Sequence, residues 1–455
     1  MAKKSTKSEF VFSCLKRDVI DPGLCTHCGL CAGLSKQTVE MVDTPKGPVP
    51  QKKQEPLSLP TDAYYACPGR EQHYPLLNHS IFSKQAGNKL LGNFQKLYIG
   101  FSNNNMVRKK SASGGILTQT SLYLLSSKIV DGIIMVQLGK HVPWKAEAII
   151  ATTPEEIQAC SQSVYSPVPV LSILDVLRNF NGKVAIVALP DQIAAVRKLQ
   201  QLENPIAKKI VFFMGPYVGT NMYFESIKNF LKSKGENSVQ KITSLKYRDG
   251  EWPGHLSITL SNGKNFTLKK FYYNYLIPFF VTKATLLSTD LTNELTDLSV
   301  GDAWNPKYEA IGKGFSVVIS RTSFATSILE EMVAEEKITL DEISIEETIK
   351  MHAHMLEFKK RGSFIRIMFR KLMNKKTPNY GYGIKNIPLT RIFIEIIISL
   401  IFAICSTRLV RSILIYLPDK LIGPFFNEIR LKWKTITKGS KRSGLESIHF
   451  TVTKK

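Results

Sequence analysis

The chain has 455 residues, of which 44% are hydrophobic and 10% aromatic, and a formal charge of +24. This length predicts two or three folded units, and the apolar content excludes a chain that is disordered throughout. The charge is concentrated in residues 359–455, where twenty-one Lys and Arg face four acids, so +17 of the total lies in this tail. The rest of the chain has an ordinary charge balance.

Targeting signals are weak along the whole sequence. The opening MAKKSTKSEF leads into no apolar run, which argues against a secretory signal. The longest apolar run, residues 392–405, contains Glu395 and is shorter than the roughly 18–20 residues that span a bilayer. Seven cysteines, an odd number, favour metal binding in a reducing compartment over a disulfide framework. We therefore expect a cytoplasmic protein.

The first predicted unit, residues 1–95, is rich in Cys and Pro, and its only clear element is a strand over residues 38–42. Cys25, Cys28 and Cys31 stand in C-x2-C-x2-C spacing, and Cys67, followed by a proline, supplies a fourth thiol. A cubane cluster needs converging thiolates, which a turn-rich loop supplies while its backbone N–H groups bond the sulfurs. The pattern predicts a small ferredoxin-like domain that holds one [4Fe–4S] cluster.

Two other interpretations of these cysteines stay open. Structural zinc also takes four thiolates, with His27 as a further candidate ligand, although zinc sites usually come as two separated C-x2-C pairs. Beside a cluster, His27 is expected to face solvent. Plain burial is the third interpretation, and it is the one we expect for the isolated Cys14, Cys160 and Cys405. Cys67 is the least secure ligand, because the ferredoxin run keeps its last Cys close to the others.

From residue 96 the pattern alternates between buried strands and amphipathic helices. Strand, turn and helix follow one another from YIGFS through SASGGILTQTSLYLL to VDGIIMV, again in KVAIVALPDQIAAVRKLQQL, and again after KIVFFMGP. This alternation predicts a mixed, largely parallel sheet whose ligand site lies at the carboxyl ends of the strands. Turn residues at Asp249-Gly250 and Asn262-Gly263 then predict a hairpin. The body divides into units at residues 96–180 and 181–345.

The last predicted unit, residues 346–455, is helical and basic, and residues 359–376 carry eight basic side chains and no acid. A predicted helix places one apolar face beside cations, at Leu409, Val410, Ile413, Leu414 and Leu417. Such a face either lies on an anionic membrane, where each nearby cation contributes about 1 kcal/mol to membrane binding, or packs back on the body of the protein. Both alternatives stay open. No helix-turn-helix or RNP-like pattern is present, so no specific nucleic-acid partner is expected.

Several stretches together resemble the deazaflavin-coenzyme hydrogenase/dehydrogenase beta-subunit family. They are GLCTHCGLCAGL with ACPG, SASGGILTQTSLYLL with VDGIIMV, SQSVYSP, LPDQIAAVRKL, FFMGP, YRDGEWPG and LSVGDAW, in order over about residues 20–305. The basic tail more loosely resembles members associated with bacterial cell-surface polysaccharide genes. The resemblance implies an α/β (α+β) fold with a Cys-rich N-terminal domain, a flavin-type body and a helical basic tail.

The resemblance also implies cofactors: a flavin, usually FAD, that exchanges electrons with the cubane cluster, and a ferredoxin-like or deazaflavin electron donor. It places a loop of Ser111, Ser113, Gly114 and Gly115 against the flavin. From local sequence the alternative is a Gly-rich turn capped by Ser before a helix that starts near Ile116. Other family motifs near the cofactor contribute Ser163, Tyr165, Pro190, Gln192, Gly301 and Asp302.

The chain departs from the family pattern at further cysteines. Relatives carry Cys where this chain has Asp191 and Phe213 or Met214, and a C-x2-C where residues 279–297 contain none. The resemblance therefore implies a single cluster. One hypothesis is an iron–sulfur flavoprotein oxidoreductase, for which no catalytic residue is predicted. The other is a noncatalytic protein, stapled by its cluster, that docks at the inner face of the membrane or on polysaccharide-biosynthesis enzymes.

Overall fold

The computed structural model describes residues 7–269, 273–417, 419–436, 444–445 and 447–452. The N-terminal segment is built from short elements: α1 (Lys7–Leu15), a π-helical turn (Lys16–Ile20), α2 (Leu30–Leu34), the hairpin strands β1 (Val39–Thr44) and β2 (Gly47–Lys52), α3 (Asp62–Tyr65) and α4 (Tyr74–Phe82). The strand predicted at residues 38–42 is thus present. The segment shares its hydrophobic core with the body, since Leu30 and Leu34 belong to the cluster that contains Leu171 and Ile193.

An eight-stranded mixed sheet forms the centre of the body. Its strands are β3 (Lys96–Ser102), β4 (Gly132–Leu138), β5 (Ala146–Ala151), β6 (Val184–Val187), β7 (Ile210–Pro216), β11 (Leu298–Asp302), β12 (Ser316–Ser320) and β13 (Ile338–Glu342), in the spatial order β13-β3-β12-β11-β7-β6-β4-β5. The central strands β4, β6, β7 and β11 run parallel. The predicted mixed α/β fold is confirmed, but the remaining pairings are antiparallel, so the sheet is less parallel than the alternation suggested.

Helices cover both faces of this sheet. Between β3 and β7 lie α5 (Asn105–Lys110), α6 (Ile116–Ser126), α7 (Pro154–Ala159), a 3₁₀ turn (Val170–Ile173), α8 (Leu174–Asn179), α9 (Pro190–Gln201) and α10 (Pro205–Lys208). Ile116 of α6 packs with Phe212 on one face, while Ile193 of α9 packs with Phe213 on the other. The central strand β7 therefore buries side chains on both of its faces, as an α/β layer requires.

A smaller three-stranded sheet follows β7 and α11 (Glu225–Ser233). It consists of β8 (Ile242–Asp249), β9 (His255–Leu260) and β10 (Asn265–Lys269), all antiparallel, with turns where Asp249-Gly250 and Asn262-Gly263 predicted them. The helices α12 (Ile277–Phe280), α13 (Lys283–Leu287), α14 (Pro306–Glu309) and α15 (Ser323–Ala334) complete the body.

The tail packs on the body over most of its described length. It comprises α16 (Ile345–Leu356), a π-helical turn (Glu357–Gly362), α17 (Ser363–Leu372), β14 (Tyr382–Lys385), α18 (Leu389–Cys405), α19 (Arg408–Leu414), α20 (Asp419–Ile436) and β15 (His449–Val452). The basic block at residues 359–376 is divided: Lys359, Lys360, Arg361 and Arg366 are buried, whereas Lys371, Lys375 and Lys376 are exposed. The boundaries proposed at residues 95, 180 and 345 stay a prediction.

The apolar face predicted at residues 409–417 is split. The first helix, α19, ends at Leu414 and α20 begins at Asp419, so these residues do not form one continuous helix. Leu414 is buried, whereas Leu409 is 71% exposed. Val410 packs with the core beside β8 and β9, and Ile413 and Leu417 are exposed. Part of this segment therefore packs on the body and part faces outward. Each of the two alternatives, membrane contact and packing on the body, thus applies to some of its side chains.

Candidate functional site

The four predicted ligand cysteines come from two loops that the fold brings together. Cys25 and Cys28 precede α2, Cys31 lies in its first turn, and Cys67 follows α3. The thiols interact electrostatically with one another, and all four are free. Burial raises the pKa of the Cys25 thiol to about 12 and raises the pKa of the other three as well. Such a group of thiols is costly to ionise without a cation that compensates the charge.

Backbone N–H groups aim at these sulfurs. They lower the pKa of the thiols by donating hydrogen bonds, and they belong to His27, Leu30, Ala32, Gly69 and Arg70. Gly29 holds the left-handed turn between Cys28 and α2 at φ 86°, and a Cβ there would lie 2.5 Å from Ser172 Oγ. The loop is therefore folded to direct amide donors at sulfur, the environment in which iron–sulfur clusters are bound.

Zinc and a cubane cluster place different demands on the four thiols. Within the described residues, no three His, Cys, Asp or Glu side chains are grouped around one point as a single ion requires. Zinc needs all its sulfurs at about 2.3 Å from one centre, whereas a cubane offers each thiolate its own iron atom. His27 is not the solvent-facing side chain that we expected: it is buried, and its Nδ1 lies 2.7 Å from the Pro48 carbonyl oxygen. Its ring is thus fixed against the β1–β2 hairpin.

A cavity of about 880 Å³ opens at the carboxyl ends of the parallel strands. Val187 of β6, Pro216 of β7 and Asp302 of β11 line it. This volume lies near the upper end of the roughly 300–1,000 Å³ usual for ligand sites, and the edge of the sheet is where α/β folds bind cofactors. The cavity is therefore large enough for a dinucleotide-sized ligand.

The 111–115 loop forms one side of the cavity. Ser111, Ser113 and Gly115 line it, together with the first turn of α6. No Ser side chain caps α6, because the N-cap is Gly115 at φ 84° and Ser111 Oγ donates instead to the Val107 carbonyl oxygen at 2.7 Å. The first N–H groups of α6 are therefore left without a side-chain acceptor, and a helix N-terminus of this kind is suited to phosphate.

Gly114 packs inside the loop and does not line the cavity. Its N–H donates to Ser316 Oγ at 2.9 Å, and its carbonyl oxygen accepts a hydrogen bond from the Ser102 N–H at 2.7 Å. A Cβ at this position would lie 2.5 Å from the Gly100 carbonyl oxygen. The loop is thereby fixed between β3 and β12.

The other predicted flavin contacts divide into two groups. Ser163, Tyr165, Gln192 and Asp302 line the cavity, whereas Pro190 and Gly301 are not among its lining residues. Pro190 is the first residue of α9, and Gly301 lies against the ring of Tyr217, to which a Cβ would approach within 2.4 Å. Their roles as cofactor contacts stay predictions.

The first turn of α9 connects the thiols with the cavity. Asp191 is close enough to interact electrostatically with Cys25 and Cys28, and burial raises its pKa. The next residue, Gln192, lines the cavity, and its Nε2 donates to the Val168 carbonyl oxygen at 3.1 Å. Two neighbouring residues thus face the two sites, which are separated only by the start of one helix.

Sequence reasoning missed several residues of the cavity. Arg248 of β8 makes two hydrogen bonds to Asp302, at 3.1 and 2.9 Å, and Trp252 Nε1 donates to the same carboxylate at 3.0 Å. Only their presence in the YRDGEWPG motif could have indicated them. His352 and His354 both line the cavity, and burial lowers the pKa of His352 to about 4. His352 is therefore neutral at pH 7.

The tail also contributes to the cavity wall, which the sequence did not indicate. Side chains of α18 and α20 line it at Ile398, Ile401, Phe402, Phe426, Asn427 and Ile429. In the described part of the chain no single helix is long and apolar enough to cross a membrane. By length and composition, only α18 and α19 taken together reach that limit, and they are bent by 72°.

A thiol-rich loop beside a ligand-sized cavity, on a mixed α/β sheet, defines a cofactor-binding class of protein. Two family models match this body, and both describe the beta subunit of coenzyme F420 hydrogenase/dehydrogenase. The model of its N-terminal part matches residues 97–175, and the model of its C-terminal part matches residues 181–346. Together they cover more than half of the chain, and the chain belongs to this family.

Individual relatives agree with that assignment. The chain is 26% identical over 249 residues to the coenzyme F420 hydrogenase subunit beta of Methanothermobacter thermautotrophicus, covering 54% of this chain and 83% of the relative. It is 23% identical over 364 residues to the coenzyme F420-dependent sulfite reductase of Methanocaldococcus jannaschii, covering 76% of this chain but only 52% of that protein. A chain of the F420-reducing [NiFe] hydrogenase complex from Methanosarcina barkeri has the same fold, with a TM-score of 0.51 at 21% identity over 64% of this chain and 98% of that one.

Proposed function

We propose that this protein is an iron–sulfur flavoprotein oxidoreductase that passes electrons between a one-electron carrier and a small molecule. The observation that carries the proposal is the closeness of the two sites: the Leu171 N–H donates to the Cys28 carbonyl oxygen at 2.8 Å, and its neighbour Val170 lines the cavity, as does Gln192 in the first turn of α9. Two redox groups separated by one helical turn exchange electrons readily. The names of the relatives, a hydrogenase subunit and a sulfite reductase, support the same class of chemistry.

The first group is one [4Fe–4S] cluster, held by Cys25, Cys28, Cys31 and Cys67. Four free thiols, amide donors directed at sulfur and mutual electrostatic interaction support this ligand set. The second group is a flavin, FAD, in the cavity. The 111–115 loop and the N-terminus of α6 would hold its phosphates, and Ser163, Tyr165, Gln192 and Asp302 would contact the rest. A cluster supplies single electrons and a flavin collects two, so one-electron donors meet a two-electron acceptor.

The chain's own residues prepare this site by binding and by excluding water. The Arg248–Asp302 pair fixes one wall in a nearly uncharged state, because the two charges compensate each other. The imidazole of His352 is neutral, so it adds an uncharged ring to the wall of the cavity. The electron donor in this proposal is a ferredoxin-like protein or a deazaflavin coenzyme, and the names of the relatives mention coenzyme F420.

A second candidate is a noncatalytic protein whose fold is stabilised by its cluster and which docks on an anionic membrane surface. The observation that favours docking is a stripe of exposed apolar side chains along α18, which we call the outer stripe: Leu389, Phe393, Ile396, Ile397, Leu400 and Ile404. Exposed cations lie in the same tail, at Lys371, Lys375, Lys385, Arg408 and Lys432. An apolar stripe beside cations fits an anionic bilayer at the inner face of the membrane.

Anaerobic purification followed by a redox titration tests the catalytic proposal. The oxidised protein should show flavin bands near about 450 nm, and dithionite should bleach them and produce the electron paramagnetic resonance signal of one reduced cluster. Cys67→Ser should lose the cluster signal but keep the flavin. Cluster signal without any flavin would favour the docking protein, and neither signal would refute both candidates.

A further inference from the structure

The wall that α18 and α20 add to the cavity is largely apolar, with Asn427 as the polar side chain among its lining residues. Half-buried side chains of α18 and α20 face the cavity at Ile398, Ile401, Phe402, Phe426 and Ile429. Beside them lie Ile277, Pro278 and Met355. The α18 and α20 side chains lie outside residues 97–346, the range within which the two family models match. This wall, which we call the tail wall, is therefore a feature of this chain's tail and not of the part shared across the family models.

Buried ion pairs fix the position of the tail wall. Glu395 of α18 accepts a hydrogen bond from Arg366 of α17 at 2.5 Å, and Arg391 of α18 donates to Glu357 at 2.7 Å. All four side chains are buried. Phe426 of α20 packs edge-on against Phe279 of α12, with ring centroids 5.1 Å apart. Ion pairs and ring packing therefore hold the tail wall in a fixed position.

The rest of the cavity has a different chemistry. Its other side contains hydrogen-bonding groups: the 111–115 loop, Ser163, Gln192 and the Arg248–Asp302 pair. A ligand that fills both parts needs a polar end for this side and a hydrocarbon end for the tail wall. A polar group placed against the tail wall would lose its hydrogen bonds to water, whereas a hydrocarbon chain is stabilised there because its apolar surface is removed from water.

The same helix also presents apolar side chains to the outside. Ile398 lines the cavity, while its neighbour Ile397 is 43% exposed in the outer stripe. Phe402 lines the cavity, and Ile404 is 59% exposed. Since α18 is apolar on both sides, it separates the cavity from an apolar exterior surface by one helix diameter, about 10 Å. A hydrocarbon chain would meet favourable contacts on either side of it.

We infer that the small molecule bound beside the flavin is an amphiphile, with a compact polar head and an alkyl or isoprenoid-type chain that lies against the tail wall. This inference rests on the proposed function and names the substrate class of the same cavity. Because the flavin occupies the 111–115 loop, the head lies beside the flavin on the side of Arg248, and the chain lies between α18 and α20.

A binding measurement on the anaerobically purified holoprotein tests this inference. The probe is dansyl-undecanoic acid at concentrations below those at which it forms micelles. Its fluorescence should rise saturably, at one site per chain. Phe402→Gln, in the tail wall, should weaken binding at least tenfold without changing flavin content. Phe393→Gln, the matched variant on the outer face of the same helix, should change binding less than twofold. Phe426→Gln repeats the wall test on α20, and circular dichroism melting establishes that each variant is folded.

The outcomes separate this inference from the function on which it rests. The amphiphile site would be overturned if the probe showed no saturable binding, or if Phe402→Gln and Phe393→Gln weakened binding equally. The proposed function would still be tested separately, by the flavin and cluster content. Absence of flavin with normal probe binding would refute the redox function and retain an amphiphile-binding cavity. Loss of binding only in the two wall variants supports the inference.

Discussion

Glu395, near the start of the longest apolar run of the chain, is buried with its carboxylate oxygen 2.5 Å from Arg366 Nη1. In the sequence this acid merely interrupts an apolar run. In the fold it is the anchor of α18, because Arg391 of the same helix also lies 3.7 Å from it and joins it to Glu357. The helix that walls the cavity is therefore fastened by a buried ion network.

Glu395→Ala is expected to lower the free energy of unfolding by about 3–5 kcal/mol, because it leaves Arg366 and Arg391 buried without their shared counter-charge. Urea unfolding followed by circular dichroism measures the change. Glu428→Ala, at an exposed position of α20, is the control and should cost less than about 1 kcal/mol. Equal effects of the two substitutions would show that the network does not hold the tail.

Asp302→Asn is expected to destabilise the protein by about 3 kcal/mol, because the Arg248 guanidinium loses the carboxylate that compensates its charge. The matched control is Asp249→Asn, which removes the carboxylate of a surface pair with Lys246, 3.0 Å away, and should cost less than about 1 kcal/mol. Denaturant melts of both variants measure the difference. Unchanged stability in Asp302→Asn would assign this carboxylate a role in ligand binding alone.

Gly114→Ala is expected to reduce flavin content at least fivefold, since the new Cβ would collide with the Gly100 carbonyl oxygen and displace the 111–115 loop. Flavin released from the purified protein by acid is quantified per chain. Gly87→Ala is the matched control, because nothing lies within 4 Å of a Cβ there and its flavin content should equal that of the unchanged protein. Full flavin in Gly114→Ala would place the cofactor away from this loop.

Lys359 provides a prediction on pH dependence. It is buried, its Nζ donates to the Thr285 carbonyl oxygen at 3.0 Å, and burial with repulsion from Arg366 lowers its pKa to about 7, against attraction from Asp290 and Asp191. In the unfolded chain the pKa is about 10.4. Between pH 7 and about 10 the unfolded state therefore binds more protons, so this group makes stability rise with pH.

Lys359→Met removes that contribution, so the free energy of unfolding should rise less steeply from pH 7 to 9 than in the unchanged protein, by up to about 1.4 kcal/mol per pH unit. Urea unfolding at pH 7, 8 and 9 measures both slopes. Lys371→Met, at an exposed position, should leave the slope as it was. A slope unaffected by Lys359→Met would mean that the lysine stays charged when folded.

Local patterns predicted the elements well where the chain alternates between strand and helix. The strand that ends at Val187, its turn and the helix that starts at Pro190 follow directly from KVAIVALPDQIAAVRKLQQL. The antiparallel edge strands were harder to predict, because β12 pairs with β3 across more than two hundred residues and no local signal encodes that pairing. The cysteine spacing identified the thiols, whose grouping depends on α2 and α3 together.

The tail shows what composition does not encode. Lys359, Lys360, Arg361 and Arg366 belong to a run without acids in the sequence, but carbonyl oxygens and acids distant in sequence receive their hydrogen bonds. Such partners are fixed only by tertiary packing, as are the α18 side chains that reach the cavity. The expectation for His27 failed for the same reason, since its partner Pro48 lies on the neighbouring hairpin strand β2.

The most direct test of the central claim is the iron, sulfide, zinc and flavin content of anaerobically purified protein, measured beside Cys67→Ser and Cys405→Ser. The unchanged protein and Cys405→Ser, whose thiol lies in α18, should each contain about four iron and four sulfide and one flavin per chain. Cys67→Ser should lose most of its iron and sulfide. One zinc per chain without sulfide would contradict the account.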